Sequence, residues 1–134
     1  MLKKTITYTD YNGVERTEDH YFNLTKAEVV EMEMGVSGGY TEMINRVISA
    51  QDAPTIMKTF KEFISKSYGI KSLDGIRFEK SDEISRAFMQ TEAYSVLFME
   101  LCTDAGAAAA FVNAIIPKPD KKASSNTTPI PSNN

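Results

Sequence analysis

The sequence predicts an α+β fold: a mainly helical domain of about five helices, opened by a β-hairpin and joined by a second short hairpin. Three observations predict it. Residues 4–24 read as two β-rich runs around Asn12-Gly13, a turn dipeptide whose members tolerate positive φ. From Thr25 onward apolar residues recur at helical spacing, and several of these segments are preceded by a capping residue. A second turn pair, Asp74-Gly75, sits between short extended pieces.

The first run, Thr5–Thr9, is β-branched and aromatic. The second, Val14–Leu24, carries Glu15, Arg16, Glu18 and Asp19, which suits an exposed or edge strand. Apolar residues do not line up cleanly across a two-residue turn, so the sequence leaves the register open. An isolated hairpin is marginal in water, so this one must pack on helices or gain a further strand. Thr25-Lys26-Ala27-Glu28 forms a capping box, in which hydroxyl and carboxylate satisfy each other's backbone amides. A short helix follows to about Met34, and the glycine-rich 35–39 stretch ends it. Those glycines match neither GxGxxG nor GxxxxGK[ST].

A second helix is expected over about Tyr40–Ala50, with Tyr40, Met43, Ile44, Val47 and Ile48 on one face. Asp52 and Pro54 start the next, whose stripe is Ile56, Phe60, Phe63, Ile64 and Tyr68, and which Gly69 ends. The Asp74-Gly75 hairpin, within 70–80, could extend the first sheet. Ser81 and Asp82 offer a cap for a helix through Met89, and Thr91-Glu92 restarts or continues it. The stretch Tyr94–Leu101 is apolar over more than half its circumference, so it is central to a core or faces a partner. Thr103-Asp104 caps a last, alanine-rich helix. After Ile116 the composition turns to Pro, Ser, Thr, Asn and Lys. Residues 1–116 are expected to fold, and 117–134 to form a disordered tail lacking apolar surface to offset ordering entropy.

The composition, 42% apolar and 25% charged over 134 residues, is that of one globular domain. Net charge is −3; Lys118, Lys121 and Lys122 against Asp120 give the tail +2, which leaves −5 on residues 1–116. An acidic body disfavours a nucleic-acid backbone or an anionic membrane as partner. Lys3 and Lys4 are followed by alternation rather than an apolar run, so no signal peptide is expected, and no apolar run approaches a membrane span.

The chemistry-bearing residues are few. Cys102 lies in a helical pattern and reads as a structural thiol, and the one histidine, His20, lies in a strand more than eighty positions away. No HExxH, CxxC, EF-hand or GxSxG signature occurs. No catalytic residue, metal or cofactor is expected. Seven Met in 134 residues suit an adaptable binding surface as well as core filling.

Certain blocks add a family reading. They are Lys4–Asp10 with Asn12-Gly13, then Tyr21-Phe22-Asn23-Leu24-Thr25-Lys26-Ala27-Glu28. Lys66-Ser67-Tyr68-Gly69-Ile70-Lys71, Asp74-Gly75 and Arg77-Phe78 follow. The last are Lys80-Ser81-Asp82-Glu83 and Gln90-Thr91-Glu92-Ala93-Tyr94-Ser95 with Leu97–Leu101. In order and wording, over about residues 3–117, they resemble the tail assembly chaperones of long-tailed phages of Gram-positive hosts. The resemblance implies a non-enzymatic protein of the host cytoplasm, absent from the mature virion. It would bind the tape measure protein and keep it soluble while tail tube subunits polymerise around it. The tail tube protein and a second copy of the chain are further possible partners; no nucleic acid or membrane is implied. The resemblance also implies a longer form made by frameshifting, and Ile116-Pro117-Lys118 could be encoded by a slippery C-CCA-AAR heptamer.

Physical reasoning alone selects the partner-binding candidates: Met89, Tyr94, Phe98 and Met99 on the over-apolar helix, and Met32 and Met34 near the glycine-rich stretch. The competing reading places all six in the core. Two other functions stay open: a structural component of the tail that adds its hairpin to a neighbour's sheet, and a small regulator binding a host protein.

Overall fold

The computed structural model describes residues 1–33 and 53–117. The expected helix over 40–50, Met34, and the tail from Lys118 onward lie outside the described residues. Strand β1 (Leu2–Thr9) pairs antiparallel with β2 (Glu15–Phe22). The turn between them holds three residues, not two. The Asp10 N–H donates to the Val14 carbonyl (2.8 Å), the Gly13 N–H donates to the Asp10 carbonyl (2.9 Å), and Gly13 sits at φ 81°. The Asp10 carboxylate fastens this turn, accepting from the Asn12 and Val14 amides and from Arg16 Nε (2.6 Å). One added loop residue moves β2 by one position. It thereby turns Phe22 rather than Tyr21 toward the face that carries Ile6. This is why apolar positions failed to align across a two-residue turn.

The expected capping box is present in full before helix α1 (Lys26–Glu33). The Thr25 N–H donates to Glu28 Oε1 (2.8 Å), and the Glu28 N–H donates to Thr25 Oγ1 (3.1 Å). Helix α2 (Ala53–Ser67) buries Phe60, Phe63 and Ile64. It stops one residue short of expectation, because Tyr68 opens strand β3 (Tyr68–Lys71). Gly69 is therefore a strand residue, opposite Tyr21, and not a helix cap. Its lack of a side chain matters for packing: a Cβ there would lie 2.6 Å from the Phe78 ring and 2.9 Å from the Glu79 carbonyl oxygen. Strand β4 (Phe78–Glu79) pairs with β3 across the Ser72–Arg77 turn, whose Gly75 has φ 76°.

The sheet order is β1-β2-β3-β4, so the second hairpin extends the first. Only Tyr21 and Phe22 of β2 pair with β3. Among the described residues, the largely charged stretch 15–20 pairs with β1 alone, so there β2 is interior at one end and an edge at the other.

Three further helices follow, each started by the residue expected of it. Ser81 Oγ accepts from the Ile84 amide before α3 (Asp82–Met89). Thr91 Oγ1 accepts from the Tyr94 amide before α4 (Glu92–Thr103), and Asp104 Oδ1 from the Ala107 amide before α5 (Ala105–Ile115). Helix α4 is central: it touches β1, α2, α3 and α5. Its Ala93, Leu97 and Leu101 are buried with Ile6, Phe22, Leu24, Phe88, Ala108, Phe111, Val112 and Ile115. The Leu24 N–H donates to the Ile115 carbonyl (3.0 Å), which ties the segment after β2 to the end of α5. No single described helix is long and apolar enough to cross a membrane; α4 and α5 qualify only as a pair, and that pair is bent by 113°.

Candidate partner-binding surface

Aromatic rings run in file from the sheet to α4. Phe22 meets Tyr68, Phe88 and Phe111 at centroid distances of 5.5, 5.8 and 5.4 Å. Tyr68 stacks on Phe88 at 4.2 Å and 11°. Phe88 meets Tyr94 edge-on at 6.0 Å, and Tyr94 meets Phe98 at 5.6 Å. Two candidate residues, Tyr94 and Phe98, are thus brought together, half-buried against the core with part of each left at the surface. Met89, at the end of α3, is half-buried. Met99 is 55% exposed, and Val96, one turn earlier on α4, is 43% exposed. Met32 stands apart from this group, on α1, where it packs partly on the core and lines a cleft of about 300 Å3.

That cleft is polar. Lys80 Nζ donates to both Glu28 carboxylate oxygens (2.8 and 2.9 Å), to the Asn23 carbonyl (2.7 Å) and to the Lys66 carbonyl (3.1 Å). The ammonium clamps the start of α1 and the end of α2 onto the residue that follows β4. Partial burial pulls the Glu28 carboxyl upward. Lys80 and the Thr25 amide outweigh it and hold the group below its ordinary value. Ser85 Oγ, at the cleft wall, donates to the Ser65 carbonyl (2.7 Å) and ties α3 to α2. The polar groups here hold one another and offer a reacting molecule little.

His20 packs on aromatic rings with Glu18 Oε1 3.9 Å from its Nε2, and Cys102 is half-buried. The His20 ring rests against Phe88 at 5.1 Å and Tyr68 at 6.3 Å, and its buried Nε2 has no hydrogen-bond partner. Burial lowers its pKa, against the opposing pull of Glu18 and Asp19. Burial pushes the Cys102 thiol up, away from the thiolate a nucleophile needs. Among the described residues no three His, Cys, Asp or Glu side chains are grouped to hold a metal.

A second apolar surface was missed by sequence reasoning. Leu73 is fully exposed and Ile76 is 81% exposed at the tip of the second hairpin. The tip is rigidly built. Ser72 Oγ donates to Asp74 Oδ1 (2.6 Å), the Ile76 amide donates to the same carboxylate oxygen (3.0 Å), and the Arg77 amide donates to Ser72 Oγ (3.0 Å). The available signal was two apolar residues placed inside a turn otherwise made of turn formers, where neither has a core to enter.

A family model described as phage tail assembly chaperone matches residues 1–130. The chain belongs to that family. No curated protein and no solved structure matches it. As a tail assembly chaperone, the protein has protein partners in tail assembly, and its described exposed apolar residues include those of α4 and of the second hairpin. The polar cleft and the buried His20 stand as parts of the chaperone's scaffold.

Proposed function

We propose that this tail assembly chaperone binds the tape measure protein of a long-tailed phage infecting a Gram-positive host. It keeps that long helical chain soluble until tube subunits enclose it, and it catalyses no reaction. The carrying observation is that α4 presents Val96 and Met99 to solvent beside half-buried Phe98 while its opposite face fills the core. Such a strip on a rigid helix suits the apolar face of another helix, and Met accommodates varied sequences. The protein then acts in the host cytoplasm and is left out of the mature particle. The order of sequence blocks quoted above supports the host and phage type.

Co-expression with the tape measure protein of the same phage tests this. The expected result is a soluble tape measure protein that co-purifies with the chaperone. A client that stays insoluble and unbound, with any frameshifted form also supplied, sinks the proposal. Mass spectrometry of purified virions should find no peptide of this chain; its presence there would favour a structural tail component.

A further inference from the structure

Strand β1 has two sides, and β2 occupies one of them. The Asp10 amide bonds to Val14, and the pairing steps back through Tyr8↔Arg16, Ile6↔Glu18, Lys4↔His20 and Leu2↔Phe22. Backbone bonding alternates along an antiparallel ladder, so these residues direct their N–H and C=O groups into β2. The far end gives the same phase. The Asn23 amide bonds the Ser67 carbonyl, which turns Asn23 and Tyr21 toward β3 and Phe22 toward β1. Lys3, Thr5, Thr7 and Thr9 therefore aim their backbone groups out of the sheet, where no described strand lies. All four residues are exposed, and no described strand covers this edge.

We propose that β1 of a second copy of this chain closes this edge, antiparallel, about a two-fold axis at Ile6. The register is determined. Hydrogen-bonded pairs must join outward-directed residues. One antiparallel self-pairing uses all four, setting Thr5 against Thr7 and Lys3 against Thr9 of the second copy. The result is one continuous eight-stranded sheet.

The occupant follows from charge. Thr9 is the neighbour of Glu15 across the hairpin, so Lys3 looks across Thr9 of the second copy toward Glu15 of that copy, on the same face. Lys3 and Glu15 are both exposed, and neither has an ion-pair partner among the described residues. The two-fold axis forms this crossing twice. A parallel in-register pairing would instead set Lys3 on Lys3. Thr5 against Thr7 is a favourable cross-strand pair. Beside β1, a recess of about 210 Å3 is lined by Leu2, Lys4 and Glu100 and by Ala107, Ala110 and Phe111 of α5. This inference is independent of which client the chaperone binds.

Sedimentation of the full chain over a concentration series, with residue-resolved amide exchange, tests it. The expected result is a monomer–dimer equilibrium in which the Thr5 and Thr7 amides gain protection as concentration rises, while Ile6 and Tyr8 are protected throughout. Thr7→Pro deletes an outward N–H and leaves the β1–β2 ladder intact, so it should yield a folded monomer. If Thr7→Pro fails to fold, the charge pair decides. Lys3→Glu should weaken the dimer about tenfold at low salt, and Lys3→Glu combined with Glu15→Lys should restore it. A chain monomeric at every concentration, with Thr5 and Thr7 exchanging freely, overturns the proposal. So does a dimer indifferent to the charge substitutions. Protection of Thr5 and Thr7 that arises only on adding tape measure protein would overturn the second copy in favour of a client strand.

Discussion

His20 packs against Tyr68 and Phe88, and among the described residues its buried Nε2 has no hydrogen-bond partner, with Glu18 Oε1 3.9 Å away. Its folded pKa is depressed, so the unfolded chain takes up a proton that the folded one resists. That contribution is intact above the ordinary histidine value of 6.5 and is lost as pH falls below it toward the folded pKa. His20→Phe keeps a ring against Tyr68 and Phe88 and removes the orphan nitrogen. We expect it to stabilise the protein by about 1 kcal/mol at pH 7 and to flatten the stability loss from pH 7 to pH 5, read by urea denaturation. Glu28 also has a depressed folded pKa, so its contribution is present above its ordinary value of 4.5 and lost as pH falls through the folded one. Glu28→Gln should lower the urea midpoint at neutral pH, and its deficit against the parent should shrink below pH 4.5. A deficit that stays constant with pH would mean that the Lys80 clamp does not depend on charge.

Between elements, the tightest approach is Gly69 under Phe78. Gly69→Ala would force β3 and β4 apart, because the Glu79 carbonyl is backbone and cannot swing away. We expect a loss of about 1–3 kcal/mol in denaturant melts. The sequence disclosed these elements unevenly, for physical reasons. Caps were legible, because Thr25, Ser81, Thr91 and Asp104 each act on an amide within three residues. The Asp74-Gly75 turn and its extension of the first sheet were legible for the same local reason. The register of the first hairpin was hidden, because Asn12-Gly13 fits turns of two or three residues and Asp10 decides between them. Gly69 looked like a helix end because its true constraint, the Phe78 ring, comes nine positions later. Lys80 gave no sign of being a clamp, since its partners come from Asn23, Glu28 and Lys66. Of the six binding candidates, Met99 is the most exposed one described, while Met32, Tyr94 and Phe98 also serve the core, as helical spacing alone left open.

For the whole molecule, the two exposed apolar surfaces separate experimentally. Val96→Ser with Met99→Ser should change thermal unfolding little, since neither side chain belongs to the buried cluster or packs against it. The pair should also reduce recovery of soluble tape measure protein several-fold. Leu73→Ser with Ile76→Ser asks the same of the hairpin tip. If only the second pair lowers recovery, the client rides on the tip and not on α4. The Leu24–Ile115 link and the packing of β1 on α4 and α5 bear on how the protein is made. The hairpin can form as soon as it leaves the ribosome, but the helices that cover Ile6 are translated about ninety residues later. At typical elongation rates the nascent hairpin waits roughly 5–20 s with its apolar side bare. On the proposed function, a protein that shelters another chain must itself be sheltered, briefly, while it is synthesised.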